Sequence, residues 1–192
     1  MKIIALLGRS GSGKDTLLDR LLAAMPGLKP LMLYTTRPRR FDGEGSYIFV
    51  SGEELEALSE RFSCVERRDY GTIHGVWSYA TLDDGSFEDG GLACVLTPEA
   101  LGAYQKYFGR ENILPVLLEV DDKTLLTRAI ERESARSDPR YEELCRRFLS
   151  DSADFATEKL APLEPLERLE NDGLDQSLAK LVQLAQDFVN HL

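Results

Sequence analysis

The first seventeen residues constrain this chain more than any later stretch. Lys2-Ile3-Ile4-Ala5-Leu6-Leu7 is apolar without alternation, the mark of a strand buried on both faces. It runs into Gly8-Arg9-Ser10-Gly11-Ser12-Gly13-Lys14-Asp15-Thr16, after which Leu17-Leu18 opens a helix. A buried strand, a glycine-rich turn and a helix start bearing a lysine predict a loop that cradles polyphosphate. The glycines let the backbone curl so that successive N–H groups point at phosphate oxygens. The helix start adds unpaired donors and the positive end of its dipole. Lys14 adds a mobile charge for the β- and γ-phosphates. Ser10, Gly11, Ser12, Gly13, Lys14, Asp15 and Thr16 are therefore candidate contacts for a nucleoside triphosphate. Asp15 stands where the signature has Ser or Thr on magnesium. No direct metal ligand is assigned, and Asp15 is a candidate only through water.

At 192 residues the chain makes one domain, or a core with inserted lobes. Its 23 Lys and Arg against 33 Asp and Glu give a net charge of −10, which argues against general nucleic-acid or anionic-membrane binding. Cys64, Cys94 and Cys145 are far apart and lack metal spacing, so they read as reduced thiols of a cytoplasmic protein. The opening apolar run meets the glycine loop too soon for a signal peptide, and no stretch approaches membrane-spanning length. A monomer or homodimer acting on small molecules is expected.

Strands alternate with helices along most of the chain, which predicts an α/β fold with a parallel sheet. Helices are expected over Lys14–Met25, Glu53–Arg61, Pro98–Phe108, from Asp121 or Asp122 onward, over Tyr141–Phe155 and over Leu174–Leu192. Ser51 and Glu54 form a capping box for the second. Leu125, Leu126, Ala129 and Ile130 are expected to face the core from the fourth, and Tyr141, Leu144, Cys145 and Phe148 from the fifth. Strands are expected at 31–34, 47–50, 92–96, 114–120 and 166–170, with short strands turning at Gly71 and Gly75. Residues 35–90 break the alternation and predict an inserted β-rich lobe. Ligands of such sheets sit at the C-terminal ends of the strands, where the glycine loop lies.

Within that lobe, Thr35-Thr36-Arg37-Pro38-Arg39-Arg40 leads through Gly43-Glu44-Gly45-Ser46 to Tyr47-Ile48-Phe49-Val50. Guanidinium forks with a tyrosine hydroxyl suit a phosphate monoester through bidentate, charge-assisted hydrogen bonds. Arg128 and Arg132 are four apart and share a helix face. Arg147 comes from the following helix. Phosphoryl transfer needs such positioning and charge neutralisation far more than a covalent catalyst.

In these residues the chain resembles the guanylate kinases. The glycine-rich loop, Thr35-Thr36-Arg37, the Pro-Arg, the Gly-Glu and the Tyr-x-Phe-Val follow that family's order. Arg128 and Arg132 are similar to its paired lid arginines, Arg147 to the third, and Asn171-Asp172 to the Asn-Asp that contacts adenine. The resemblance implies a three-layer P-loop NTPase fold with a core of 1–34, 91–126 and 156–192. It also implies an inserted lobe binding the nucleoside monophosphate (35–90) and a helical lid (127–155). It implies ATP-dependent phosphorylation of GMP and dGMP with Mg²⁺. Lys14, Arg128, Arg132 and Arg147 would be catalytic, and Asn171 would join the loop in binding ATP. Arg37, Arg40, Tyr47, Glu66, Tyr79 and Thr81 would bind GMP. Arg39 is the alternative to Arg40, and Tyr70-Gly71-Thr72 is the literal alternative to Tyr79 and Thr81. A carboxylate at Glu66 can accept from guanine N1–H and from its exocyclic amine, a donor pair that adenine lacks.

Three positions depart from the family pattern: Asp15, Leu33 in place of a serine, and Thr97 in a strand end that lacks paired aspartates, with Glu99 the nearest acid. The Gly-Lys-Asp loop is similar to that of ribose 1,5-bisphosphate phosphokinase. Another phosphorylated acceptor, or a binding module that has lost catalysis, are the rival expectations.

Overall fold

In the computed structural model the described residues are 1–39, 47–72, 75–87, 90–171 and 173–190. Five strands form an all-parallel sheet: β1 (Lys2–Leu7), β2 (Leu28–Pro30), β7 (Gly91–Val95), β8 (Ile113–Glu119) and β9 (Glu167–Glu170), in the order β2-β7-β1-β8-β9. A second sheet of order β4-β3-β6-β5 comprises β3 (Leu33–Thr35), β4 (Tyr47–Phe49), β5 (Ser63–Thr72) and β6 (Gly75–Asp83). The helices are α1 (Lys14–Ala24), α2 (Gly52–Arg61), α3 (Pro98–Phe108), α4 (Asp122–Ser134), α5 (Tyr141–Asp154), the short α6 (Thr157–Leu160) and α7 (Leu174–Asn190).

The central strand shows why the opening run is apolar throughout. Ile3, Ala5 and Leu7 point to one face of β1 and pack with Leu101 and Tyr104 of α3. Ile4 and Leu6 point to the other and pack with Leu17 and Leu21 of α1 and Leu181 and Ala185 of α7. Each face of a strand needs its own apolar residues when both are covered by helices. The result is the expected three-layer α/β architecture with an inserted β-rich sheet. A third cluster (Tyr34, Leu55, Ala80 and Leu82) packs α2 onto the second sheet. The capping box on α2 is present, with Ser51 Oγ accepting from Glu54 N and Glu54 Oε2 from Ser51 N.

Several expectations shift. The strand expected at 31–34 straddles a break between two, β2 ending at Pro30 and β3 starting at Leu33. Leu31 N–H still donates to Ala93 O at 2.9 Å, but β2 ends at Pro30, which lacks an amide for the ladder, and β3 pairs in the second sheet. The second sheet therefore begins at Leu33, inside the stretch counted with the core. The short strands expected over 62–82 are instead one long antiparallel hairpin. On α4 only Leu125 of the four expected core residues is fully buried, and Ile130 is exposed. On α5, Tyr141 and Cys145 are exposed and no residue is fully buried. These two helices lean on the glycine loop rather than on a sheet, so amphipathic spacing overstates their burial. Among the described residues, no helix is long and apolar enough to cross a membrane.

Candidate active site

The glycine loop joins β1 to α1 at the C-terminal edge of the parallel sheet. Gly13 caps α1 with φ 89° and no side chain, so the first-turn amides stay open to an anion. A Cβ at Gly13 would lie 2.7 Å from Asn171 Nδ2, and one at Gly8 would lie 2.5 Å from Ser12 Oγ. The loop is thus wound too tightly for side chains at either position. Asn171, at the end of β9, is buried and donates from Nδ2 to Ser12 O at 2.6 Å. Its amide braces the loop from beneath. Gly11, Gly13, Lys14, Asp15, Thr16, Arg128, Arg132 and Asn171 line a groove of about 400 Å³, large enough for a polyphosphate chain.

The open first-turn amides of α1 fit a triphosphate. The carboxylates of Asp15 and Asp19 lie one turn apart on α1. The Asp19 pKa is raised, first by burial and then by the charge of Asp15. Their oxygens are of the hard type that suits a divalent cation accompanying phosphate. Among the described residues, no group of three or more acidic, Cys or His side chains is built to hold a metal alone.

Two helices hang over this loop. Arg128 Nη1 donates to Gly11 O at 3.0 Å and Arg132 Nη2 to Ser10 Oγ at 3.2 Å, so the two arginines of one α4 face both reach the loop. Asp121 caps α4. From α5, Asp151 accepts from Ser10 N. Arg9 stacks on Phe148 at 4.5 Å and bonds Ser152 Oγ and Asp122. Arg147 behaves differently. Its Nε is 2.7 Å from Glu143 Oε1, and it lines a small crevice with Ser10 and Arg132. Glu143 also takes Arg146, and the two guanidinium groups hold its carboxyl down at about 2. Across a cleft of about 750 Å³, Arg136, Arg140, Arg146 and Arg147 face Gly71 and Trp77 of the hairpin.

The second sheet supplies the remaining candidates. Thr35 Oγ1 and Thr36 N both donate to Ser78 O, and Ser78 N donates to Thr36 Oγ1, so the paired threonines anchor the strand end that presents Arg37. Arg37 is buried, with its guanidinium over Tyr47 (5.3 Å) and Phe49 (5.4 Å), and Nη1 donates to Pro38 O. Arg39 stacks on Phe49 at 4.3 Å. Arg40, Gly43, Glu44, Gly45, Ser46 and Asp172 lie outside the described residues, as does the side chain of Thr72. Tyr79 meets Tyr47 edge-on at 6.0 Å and Tyr70 at 5.6 Å, so both candidate tyrosines stand in one aromatic group. Thr81 is wholly buried and shares a 2.7 Å hydrogen bond with Tyr104 of α3, which ties the two sheets together.

A bulge between Cys64 and Glu66 resets the alternation of β5, so Val65 and Glu66 are both buried. Beyond it, Glu66, Arg68 and Tyr70 share one face, opposite Thr81, Tyr79 and Trp77 of β6. Arg68 holds Glu66 in a two-point ion pair, Nε to Oε2 at 2.8 Å and Nη2 to Oε1 at 3.1 Å. Its Nη1 donates to Thr97 Oγ1 at 2.8 Å, the hydroxyl that also caps α3. Burial raises the Glu66 carboxyl above its ordinary range, Arg68 opposes that shift, and Glu99 adds to it. Arg68, Thr97 and Tyr104 were not singled out as ligand contacts from sequence. Arg68 was legible as the residue two beyond Glu66 on a strand. Tyr104, on another element, carried no local signal.

No family model matches the chain. It is similar to the guanylate kinase of Parasynechococcus marenigrum (strain WH8102), with 31% identity over 195 residues covering 93% of this chain and 94% of that protein. It is also similar to the guanylate kinase of Rubrobacter xylanophilus (strain DSM 9941), with 31% identity over 142 residues covering 70% and 73% of the two chains. Among solved structures it resembles a guanylate kinase from Anaplasma phagocytophilum. That likeness has a TM-score of 0.62 at 19% identity, covers 98% of this chain and 86% of the other, and speaks for the fold.

Proposed function

This chain belongs to the guanylate kinase family and is a phosphotransferase, and from that premise we propose that it transfers the γ-phosphoryl group of ATP to GMP and dGMP. The observation that carries this is the facing of an uncapped glycine loop and an arginine-bearing lid across the groove above α1. In this reading Lys14 and the amides of the Ser10–Thr16 loop that stay open to an anion hold the triphosphate, the Ser10 amide being held by Asp151. Mg²⁺ bound with ATP would supply charge neutralisation at the phosphates, and Asp15 would be the residue to hold it, through water. Arg37, Arg40 and Tyr47 grip the acceptor phosphate, with Tyr79 and Glu66 beside its base and Thr81, buried against Tyr104, supporting them from behind.

Arg128 and Arg132 stand over the loop, where transferring charge develops. Arg147 joins them by exchanging Glu143 for phosphate as the lid closes. Closure excludes water and protects ATP from hydrolysis. Asn171 supports ATP binding through the loop backbone. The described cysteines are all free, which supports a cytoplasmic protein. A core of 1–34, 91–126 and 156–192, an acceptor lobe at 35–90 and a lid at 127–155 are the units that would move.

The test is ADP formation from Mg-ATP with GMP, dGMP, AMP and ribose 1,5-bisphosphate supplied singly. Turnover on GMP and dGMP is expected. Turnover on the sugar phosphate alone transfers the assignment to that acceptor. Tight GMP binding without turnover on any acceptor refutes the enzyme.

A further inference from the structure

The candidate base reader does not stand alone. Arg68 holds both oxygens of Glu66, and the pair is nearly closed to solvent, at 4% exposure for the Glu66 side chain and 12% for Arg68. The third donor of Arg68 is fixed on Thr97 at the end of β7, and a fourth reaches Tyr70 Oη at 3.4 Å. The family resemblance implies that a free carboxylate at Glu66 recognises guanine by accepting from N1–H and the exocyclic amine. A guanidinium presents the same fork of two N–H donors, and Arg68 already occupies that position. Drawing it away would leave two buried charges without their partners, which is strongly unfavourable.

We propose that Arg68 is a specificity-determining residue, and that the intact Glu66–Arg68 pair faces the base and selects the carbonyl and adjacent N–H shared by all 6-oxopurine nucleoside monophosphates. The proposal rests on the purine-nucleotide reading above. Each carboxylate oxygen has two acceptor sites, and Arg68 uses one on each. A 6-carbonyl accepts from the remaining donor capacity of Arg68, and N1–H donates to Glu66. The 2-amino group of guanine then adds less than it would to a free carboxylate, because its oxygen, Oε2, already shares its charge with Arg68 Nε. An adenine edge is reversed, setting its amine against the Arg68 donors and its bare N1 against the carboxylate. The pair therefore rejects AMP while admitting IMP along with GMP.

The experiment measures kcat and KM for GMP, IMP and AMP with saturating Mg-ATP, using the full chain and the variants Arg68→Met and Arg68→Lys. A free carboxylate built to bond the amine would reject IMP by about 10⁴-fold. The pair predicts a GMP-to-IMP ratio of kcat/KM below about a hundredfold, with AMP disfavoured by more than about 10³-fold. Arg68→Met frees Glu66, so KM for IMP rises by about tenfold or more. KM for GMP rises less, kcat changes less than KM, and the ratio widens. Arg68→Lys, which keeps the charge without the fork, lies between. If the Met variant does not fold, the unmodified chain and the Lys variant decide. A GMP-to-IMP ratio above about a hundredfold, or one unmoved by either substitution, overturns this proposal while leaving the GMP reading intact. No turnover on any purine nucleotide, with turnover on ribose 1,5-bisphosphate, overturns both.

Discussion

Replacing Asn171 separates two roles for one residue. The family resemblance implies contact with adenine, whereas in the structure its amide donates to Ser12 O at 2.6 Å from a buried position below the loop. Asn171→Leu keeps the volume and removes the donor, leaving the Ser12 carbonyl without its partner. An orphaned buried acceptor costs about 1–3 kcal/mol. In a domain of this size each kcal/mol moves Tm by about 2–4 °C. Taking about 2 kcal/mol, Asn171→Leu lowers Tm by about 4–8 °C. Asn171→Asp lowers it further, because a carboxylate would face the carbonyl. The same loosening misplaces the amides that hold triphosphate, so KM for ATP rises while KM for the acceptor stays put. Calorimetry without nucleotide and steady-state kinetics with each substrate varied measure the two effects. An unchanged Tm with a raised KM for ATP would show that Asn171 acts on the nucleotide and not through the loop.

Two other measurements test the lobe and the lid. Ser51→Ala removes the capping box of α2 and is expected to cost about 1 kcal/mol, or about 2–4 °C in Tm, with kcat unchanged; a fall in kcat would place α2 in the chemistry. Glu143 is held at about 2 by Arg146 and Arg147, below its ordinary 4.5, so the unfolded chain binds its proton more readily. Its stabilising contribution is therefore complete above about pH 4.5 and is lost as pH falls toward 2. The groups are largely exposed, so the effect is small. The urea midpoint of Glu143→Gln should trail that of the unmodified chain at pH 5.5 and converge with it near pH 2. A gap of constant size across that range contradicts the pairing.

What sequence determined was set by local rules. An apolar run without alternation had to be a strand covered on both faces, and the glycines before Lys14 had to form a tight loop at a helix start. Ser51 with Glu54, and Asp121, fixed helix starts because a cap needs only its own first turn. The spacing of Arg128 and Arg132 put both on the face that meets the loop.

Tertiary structure decided what depends on distant partners. Spacing marked Ile130, Tyr141 and Cys145 as core, yet they are exposed because α4 and α5 lie over a loop and a cleft. Asn171 became a brace because β9 ends beneath Ser12, 159 residues earlier in the chain. Glu66 could be found as a carboxylate on a strand. Its partnership required a bulge that turned it inward, a strand period that set Arg68 beside it, and the end of β7 to bring Thr97 within reach. Periodicity fixes which way a side chain points, and only the packing of separate elements fixes what it meets.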